Sequence, residues 1–164
     1  MIIEGRAVVV EGNGIDTDVL YSGQFLNVLG VEKMKNHLFE GLDPSLRDEL
    51  TGETVLVAGE KFGTGSSREH VPHAMKASGT RRVLGASFAR IFQRSCVNFG
   101  LLVMTAPEAA AAAQTGDLIR IDTDSGEVCV GEASFQATPL PAFMLEMIRA
   151  GGLAGWGRRR LSCT

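Results

Sequence analysis

Cysteine is scarce in this chain: three among 164 residues, at positions 96, 129 and 163. They are too few and too widely spaced for a disulfide scaffold. They also lack the close pairing of a zinc or iron–sulfur site, so no metal ligands are expected from this chain. Long hydrophobic runs are missing too. No span approaches the roughly 18–20 apolar residues that a membrane helix needs. The opening Met1-Ile2-Ile3-Glu4-Gly5-Arg6 has no basic stretch leading into an apolar run with a small-residue cleavage site, so it does not read as a signal peptide. Reduced thiols and a cytoplasmic location are the expectation. Neither sign of charge dominates, with 16 Lys+Arg against 19 Asp+Glu and a net charge of −3. That excludes a generally basic nucleic-acid coat and disfavours nucleic acid as a partner. Aromatic residues are only 6%, so the core must be built from Val, Leu, Ala and Met.

What is present is a globular composition, 45% hydrophobic and 21% charged, at a length that suits one domain. Residues 1–150 read as that domain and 151–164 as a Gly/Arg-rich tail. Arg6 to Val10 reads as a buried strand, closed by the turn-rich Glu11-Gly12-Asn13-Gly14. Val31 to Leu42 has apolar residues at 31, 34, 38 and 42, near helical spacing. Asp43-Pro44 opens a short helix to about Leu50. Thr54–Ala58, Arg82–Gly85 and Leu101–Met104 read as strands. Helices are expected from the glycine loop to Gly79, over Phe88–Val97 and over Pro107–Gln114. Asp117–Asp122 and Val128–Val130 make a late hairpin, followed by a helix over Leu140–Ile148. Alternating strands and helices predict an α/β fold with a mostly parallel central sheet and a late antiparallel hairpin.

The most informative stretch is Gly63-Thr64-Gly65-Ser66-Ser67-Arg68-Glu69-His70. It follows a buried strand and feeds a helix, which places it at the carboxyl end of a parallel strand, where ligand sites gather. Glycines 63 and 65 allow positive φ angles and close backbone approach. Backbone N–H groups, two hydroxyls and the Arg68 guanidinium make an anion receiver. A plain capping box, Ser66-x-x-Glu69, accounts for two of these residues with no ligand at all. It would, however, leave Pro72 inside the helix and Arg68, His70 and the glycines unexplained. The lysine of a Walker loop is missing, and so is the second glycine of a G-x-S-x-G elbow. From these residues alone an anion-binding site and a structural cap both remain open.

Gly65-Ser66-Ser67-Arg68-Glu69-His70 resembles the signature of the aconitase superfamily's swivelling domain. The likeness extends to Ile15-Asp16-Thr17-Asp18, Ser87-Phe88-Ala89-Arg90-Ile91-Phe92 and Asn98-Phe99-Gly100-Leu101, in the family's order. From Gly5 to about Ile148 the chain resembles the small subunits of 3-isopropylmalate dehydratase, the leucine-pathway isomerase. The resemblance implies a single swivelling β/β/α-type domain. It also implies a hydro-lyase that moves a hydroxyl between adjacent carbons of a malate-type acid. A 4Fe-4S cluster would lie on a separate large subunit, and this chain would bind no cofactor itself. By the same resemblance Ser66 is the catalytic base, Gly65, Ser67 and Arg68 contact substrate, and Asp18 approaches the cluster-bearing partner. The loop Gln24–Leu29 would read the far end of the substrate. Its centre is Asn27, flanked by Leu26, Val28 and Leu29, where an arginine would read an extra carboxylate as in homoaconitase-type proteins. Asn27 and Leu29 therefore favour an apolar or small substituent such as isopropyl or methyl. Related dehydratases of homoaconitate, dimethylmalate or citraconate are the alternatives. From a different class, an anion- or RNA-binding module would use the same loop and the arginines.

Other residues have plainer readings. Asp122-Thr123-Asp124 repeats the early Asp16-Thr17-Asp18 but precedes Ser125-Gly126, so it reads as a turn. His70 and His73 read as structural, and His37 as solvated. Cys96 and Cys129 read as small core residues, and Cys163 as exposed in the tail. Arg90 and Arg94 line a cleft, meet the large subunit or face solvent. Arg158-Arg159-Arg160 reads as a frayed, solvated terminus.

Overall fold

The computed structural model describes residues 1–162. The chain runs β1 (Ile2–Val10), α1 (Thr17–Leu20), α2 (Val31–Met34), α3 (Leu46–Glu49), β2 (Thr54–Ala58), α4 (His70–Ala77), β3 (Arg82–Gly85), α5 (Arg90–Asn98), β4 (Leu102–Thr105), α6 (Pro107–Ala112), β5 (Leu118–Asp122), β6 (Glu127–Val130), β7 (Ala133–Gln136), α7 (Ala142–Arg149) and α8 (Leu153–Leu161). The strands form one sheet in the order β4-β3-β2-β1-β5-β6-β7. Pairing is parallel from β4 to β1 and antiparallel from β1 through β5 and β6 to β7.

The parallel half is covered on both faces, which is why β2 carries Thr54, Val55, Leu56, Val57 and Ala58 with no exposed position. Alternation along the strands divides the core in two. Val8, Val10, Leu56 and Val83 face α4 and α5, meeting Val71, Met75, Phe92 and Cys96. Ala7, Val55, Val57 and Leu84 face the other way, meeting Ala109 of α6 and Leu145 of α7. Each fully buried Val or Leu contributes about 1.5–3 kcal/mol relative to exposure, so both faces fix the register of the sheet.

Four expectations from the sequence need correction. Val31–Leu42 is not one helix. It breaks after Met34 into a short 3₁₀ turn, and Phe39 takes a positive φ of 63°. Leu38 instead pairs with Tyr21, and the Phe39 N–H donates to the Leu20 carbonyl at 2.8 Å. Tertiary pairing of two fully buried residues outweighs the helical spacing. The late hairpin gains a third strand, β7, whose Ala-Ser-Phe-Gln sequence is mostly exposed and carries little apolar signal. The Arg158–Arg160 segment is not frayed. It forms the last turn of α8, where cations complement the helix dipole, and Arg160 lies 4.4 Å over the Trp156 ring. His37 is not solvated: its side chain is 24% exposed and its ring stacks on Phe25 with centroids 3.8 Å apart.

Asp122-Thr123-Asp124 is a turn after β5 whose carboxylates face the Met1 amine. Cys96 is buried and Cys129 half-buried. Cys163 lies outside the described residues. Among the described residues no helix is long and apolar enough to cross a membrane.

Candidate active site

The Gly63–His70 loop leaves the carboxyl end of β2 beside the loop that leaves β1. The two are laced together by backbone hydrogen bonds, Gly63 N–H to the Ile15 carbonyl at 2.9 Å and Thr17 N–H to the Thr64 carbonyl at 2.8 Å. The Thr17 hydroxyl, in a nearly fully buried residue, donates to the Ser66 carbonyl at 2.7 Å. Gly63 and Gly65 have φ of 82° and 90°, a region that penalises any side chain. A Cβ at Gly63 would run into the Phe92 ring and one at Gly65 into the Asp16 carboxylate.

α4 begins at His70 and has no side-chain cap. The capping-box reading of Ser66 and Glu69 is therefore set aside. The late start also places Pro72 in the first turn, where its missing N–H costs no helical bond.

Freed from capping, Ser66 points its hydroxyl into a polar triangle. Its Oγ donates to Asp18 Oδ1 at 3.1 Å and accepts from Arg68 Nε at 3.0 Å. Arg68 Nη2 meets the same Asp18 oxygen at 2.7 Å, and its Nη1 donates to the Tyr21 carbonyl at 2.8 Å. Asp18 is itself placed by α1, where the Asp16 carboxylate caps the helix by accepting from the Asp18 N–H at 2.7 Å. Arg68 is only 15% exposed and Asp18 59%, so the guanidinium is held from within and the carboxylate from outside.

Ser66, Ser67, Arg68 and Gly65 line a cavity of about 330 Å³, closed on its far side by Ala89, Arg90, Ile91, Phe92 and Ser95 at the start of α5. Ser66 and Ser67 are exposed to it. The Ser95 Oγ is buried without a hydrogen-bond partner among the described residues. Asp18 joins the group through Arg68, whereas Asn27 and Leu29 do not line the cavity. They sit exposed on the neighbouring loop, Leu29 at 83%. Sequence reasoning missed the Thr17 hydroxyl and Ser95. It left the place of Arg90 open, and Arg90 is a cavity wall.

The histidines and cysteines here have structural surroundings. His70 stacks on Tyr21 with centroids 5.2 Å apart, and His73 packs on Phe99 at 4.0 Å. Burial lowers the His73 pKa below 6.5 and raises that of the Tyr21 phenol above 10.0. The Cys96 thiol is pushed far up by complete burial, which removes it as a ligand or nucleophile near neutral pH. Among the described residues no three His, Cys, Asp or Glu side chains are grouped to hold a metal ion.

The parallel β–loop–α unit that presents the Gly-Ser-Ser-Arg loop matches the class of aconitase C-terminal domains. The model of that family fits residues 48–109. The likeness then extends over the whole chain. The 3-isopropylmalate dehydratase small subunit of Moorella thermoacetica is 42% identical over 98% of both chains. The 2,3-dimethylmalate dehydratase small subunit of Eubacterium barkeri is 40% identical over 88% of this chain and 90% of its own. A crystal structure of 3-isopropylmalate dehydratase from Methanocaldococcus jannaschii superposes with a TM-score of 0.92 at 33% identity, covering 99% and 97%. The chain belongs to the family of 3-isopropylmalate dehydratase small subunits, within the aconitase superfamily.

Proposed function

We propose that this chain is the small subunit of a heteromeric hydro-lyase that interconverts 2-isopropylmalate and 3-isopropylmalate in leucine biosynthesis. On this reading it is active only when joined to a large subunit, in the cytoplasm. The observation that carries it is the exposed Ser66 hydroxyl, set between a guanidinium at 3.0 Å and a carboxylate at 3.1 Å on the wall of a cavity. The full-length likeness to the Moorella subunit supports the reaction class.

A serine hydroxyl is a poor base and must act as a stabilised oxyanion. The proton it must lose points at Asp18, and the charge left behind faces Arg68 Nε, a fixed donor that needs no reorganisation. In dehydration the C–H bond beside a carboxylate breaks, its electron pair forms the C=C bond and its proton passes to the Ser66 oxygen. The adjacent C–O bond breaks, and the departing hydroxyl takes up a separate proton from solvent to leave as water. Rehydration returns the proton and the hydroxyl to exchanged carbons. Ser67, Gly65 and the remaining N–H donors of Arg68 bind the substrate's carboxylates. Asn27 and Leu29 read the substituent, and the outer oxygen of Asp18 faces the partner.

A 4Fe-4S cluster on the large subunit would polarise the hydroxyl and carboxylate of the acid. The residues of this chain do not fit a cluster of their own, because Cys96 is sealed in the core and Cys129 stands on β6, with no third thiol beside them among the described residues.

The test is anaerobic co-purification with the large subunit, followed by assays on isopropylmalate, dimethylmalate, citraconate and homoaconitate. Turnover of isopropylmalate by the pair and by neither chain alone is expected. Turnover by the isolated chain, or a preference for the tricarboxylate homoaconitate, would overturn the reading.

A further inference from the structure

The loop that carries Asn27 and Leu29 is not free. Two hydrogen bonds tie its backbone, one to Tyr21 just before the loop and one to the segment that carries Ser66, and a third holds Tyr21 to that same segment. Arg68 Nη1 donates to the Tyr21 carbonyl at 2.8 Å. The Tyr21 hydroxyl donates to the Phe25 carbonyl at 3.2 Å. His70 Nε2 reaches the Leu26 carbonyl at 3.1 Å. A carbonyl oxygen only accepts, so Nε2 carries the proton in this contact. The His70 ring is seated by Tyr21, which stacks on it at an interplanar angle of 30°. The Phe25 ring stacks on His37 at 15°, and His37 Nδ1 in turn meets Glu40 at 3.1 Å.

The last of these anchors falls at one particular peptide bond. The Leu26 carbonyl belongs to the Leu26–Asn27 peptide, so the bond from His70 fixes the plane from which Asn27 departs. Beyond it the Val28 N–H returns to the Phe25 carbonyl at 3.0 Å, and Leu29 projects with 83% exposure. His70 opens α4, four residues after Ser66. The base and the substituent reader are thus mounted on one short, internally bonded unit.

We propose that His70 is a positioning residue for substrate selection. Through the Leu26 carbonyl it holds Asn27 and Leu29 at a fixed place relative to Ser66, so that an isopropyl-sized group is selected over a methyl-sized one. The inference rests on the proposed function of this site. His70 does not touch the reacting atoms and leaves the Ser66–Arg68–Asp18 triangle intact. A misplaced reader costs binding of the group it reads before it costs chemistry.

The experiment compares wild type, His70→Ala and His70→Gln, each paired with the large subunit, on 2-isopropylmalate and on a methyl-substituted malate. For His70→Ala, KM for isopropylmalate should rise roughly tenfold while kcat stays within about twofold, and the preference over the methyl substrate should fall by a similar factor. His70→Gln keeps an N–H donor for the Leu26 carbonyl and should recover most of that preference. Amide hydrogen exchange of the unpaired chains gives a readout independent of activity, with faster exchange over 24–29 expected in His70→Ala. Unchanged selectivity in His70→Ala, loss of kcat at constant KM, or unchanged exchange over 24–29 would each overturn the proposal. Failure of the functional reading itself looks different: wild type would turn over neither substrate, while the exchange comparison would still report on the anchor.

Discussion

Asp18 and Arg68 meet at 2.7 Å across a single carboxylate oxygen, and that same oxygen accepts the Ser66 hydroxyl at 3.1 Å. The two loops that leave β1 and β2 therefore share one charge relay. Because the pair is partly open to solvent, its contribution to stability is small, whereas its effect on where the serine proton points is large.

Asp18→Asn separates these two effects. Since Asp18 is 59% exposed, unfolding free energy should change by no more than about 1 kcal/mol. Turnover in the assembled enzyme should fall roughly 100-fold, because the amide is a poor acceptor for the serine proton. Denaturant titration and steady-state assays on the same preparation check both halves. Undiminished kcat would remove Asp18 from the proton path.

A glycine pair isolates the packing behind the loop. Gly63→Ala places a methyl group into Phe92 at a φ of 82°. Gly116→Ala meets nothing within 4 Å at a φ of 97°. Backbone strain is common to both, about 1 kcal/mol, while overpacking adds about 1–3 kcal/mol at position 63 only. Urea unfolding should show Gly63→Ala to be the more destabilised by that margin. Equal losses would show that Phe92 yields freely.

Acid sensitivity should be traceable to His73. Burial holds its folded pKa below 6.5, with Glu69 opposing the shift. The unfolded chain then binds more protons, so stability is fully present above pH 6.5 and declines as pH falls through the lowered folded value. Replacing the ring by His73→Phe keeps the packing on Phe99 and should flatten the stability profile as pH falls below about 6.5 relative to wild type. Parallel profiles would assign the acid loss to other groups.

Much of this architecture is written in local patterns. Thr54–Ala58 and Arg82–Gly85 appear in the sequence as short apolar runs ended by glycine or turn residues, and both strands fall at those positions. Helices with one apolar stripe, such as α5, are equally legible to within a residue or two. What escapes is structure made by distant partners. Leu38 and Phe39 leave a helical pattern because Tyr21 and Leu20 claim their backbones. β7 exists because β6 offers an unpaired edge. At the site, Ser66 and Arg68 announce themselves through glycine spacing and the resemblance. The Thr17 hydroxyl and the His70 anchor become visible only once the β1 and β2 loops lie side by side.

The most direct measurement is turnover of 2-isopropylmalate by the assembled enzyme carrying Ser66→Ala, with circular dichroism and co-purification run on the same sample. Removing one oxygen from an exposed loop should leave folding and pairing unchanged and lower kcat by at least about 1000-fold. A Ser66→Ala enzyme that pairs normally and keeps most of its turnover would show that the proton is taken by another group.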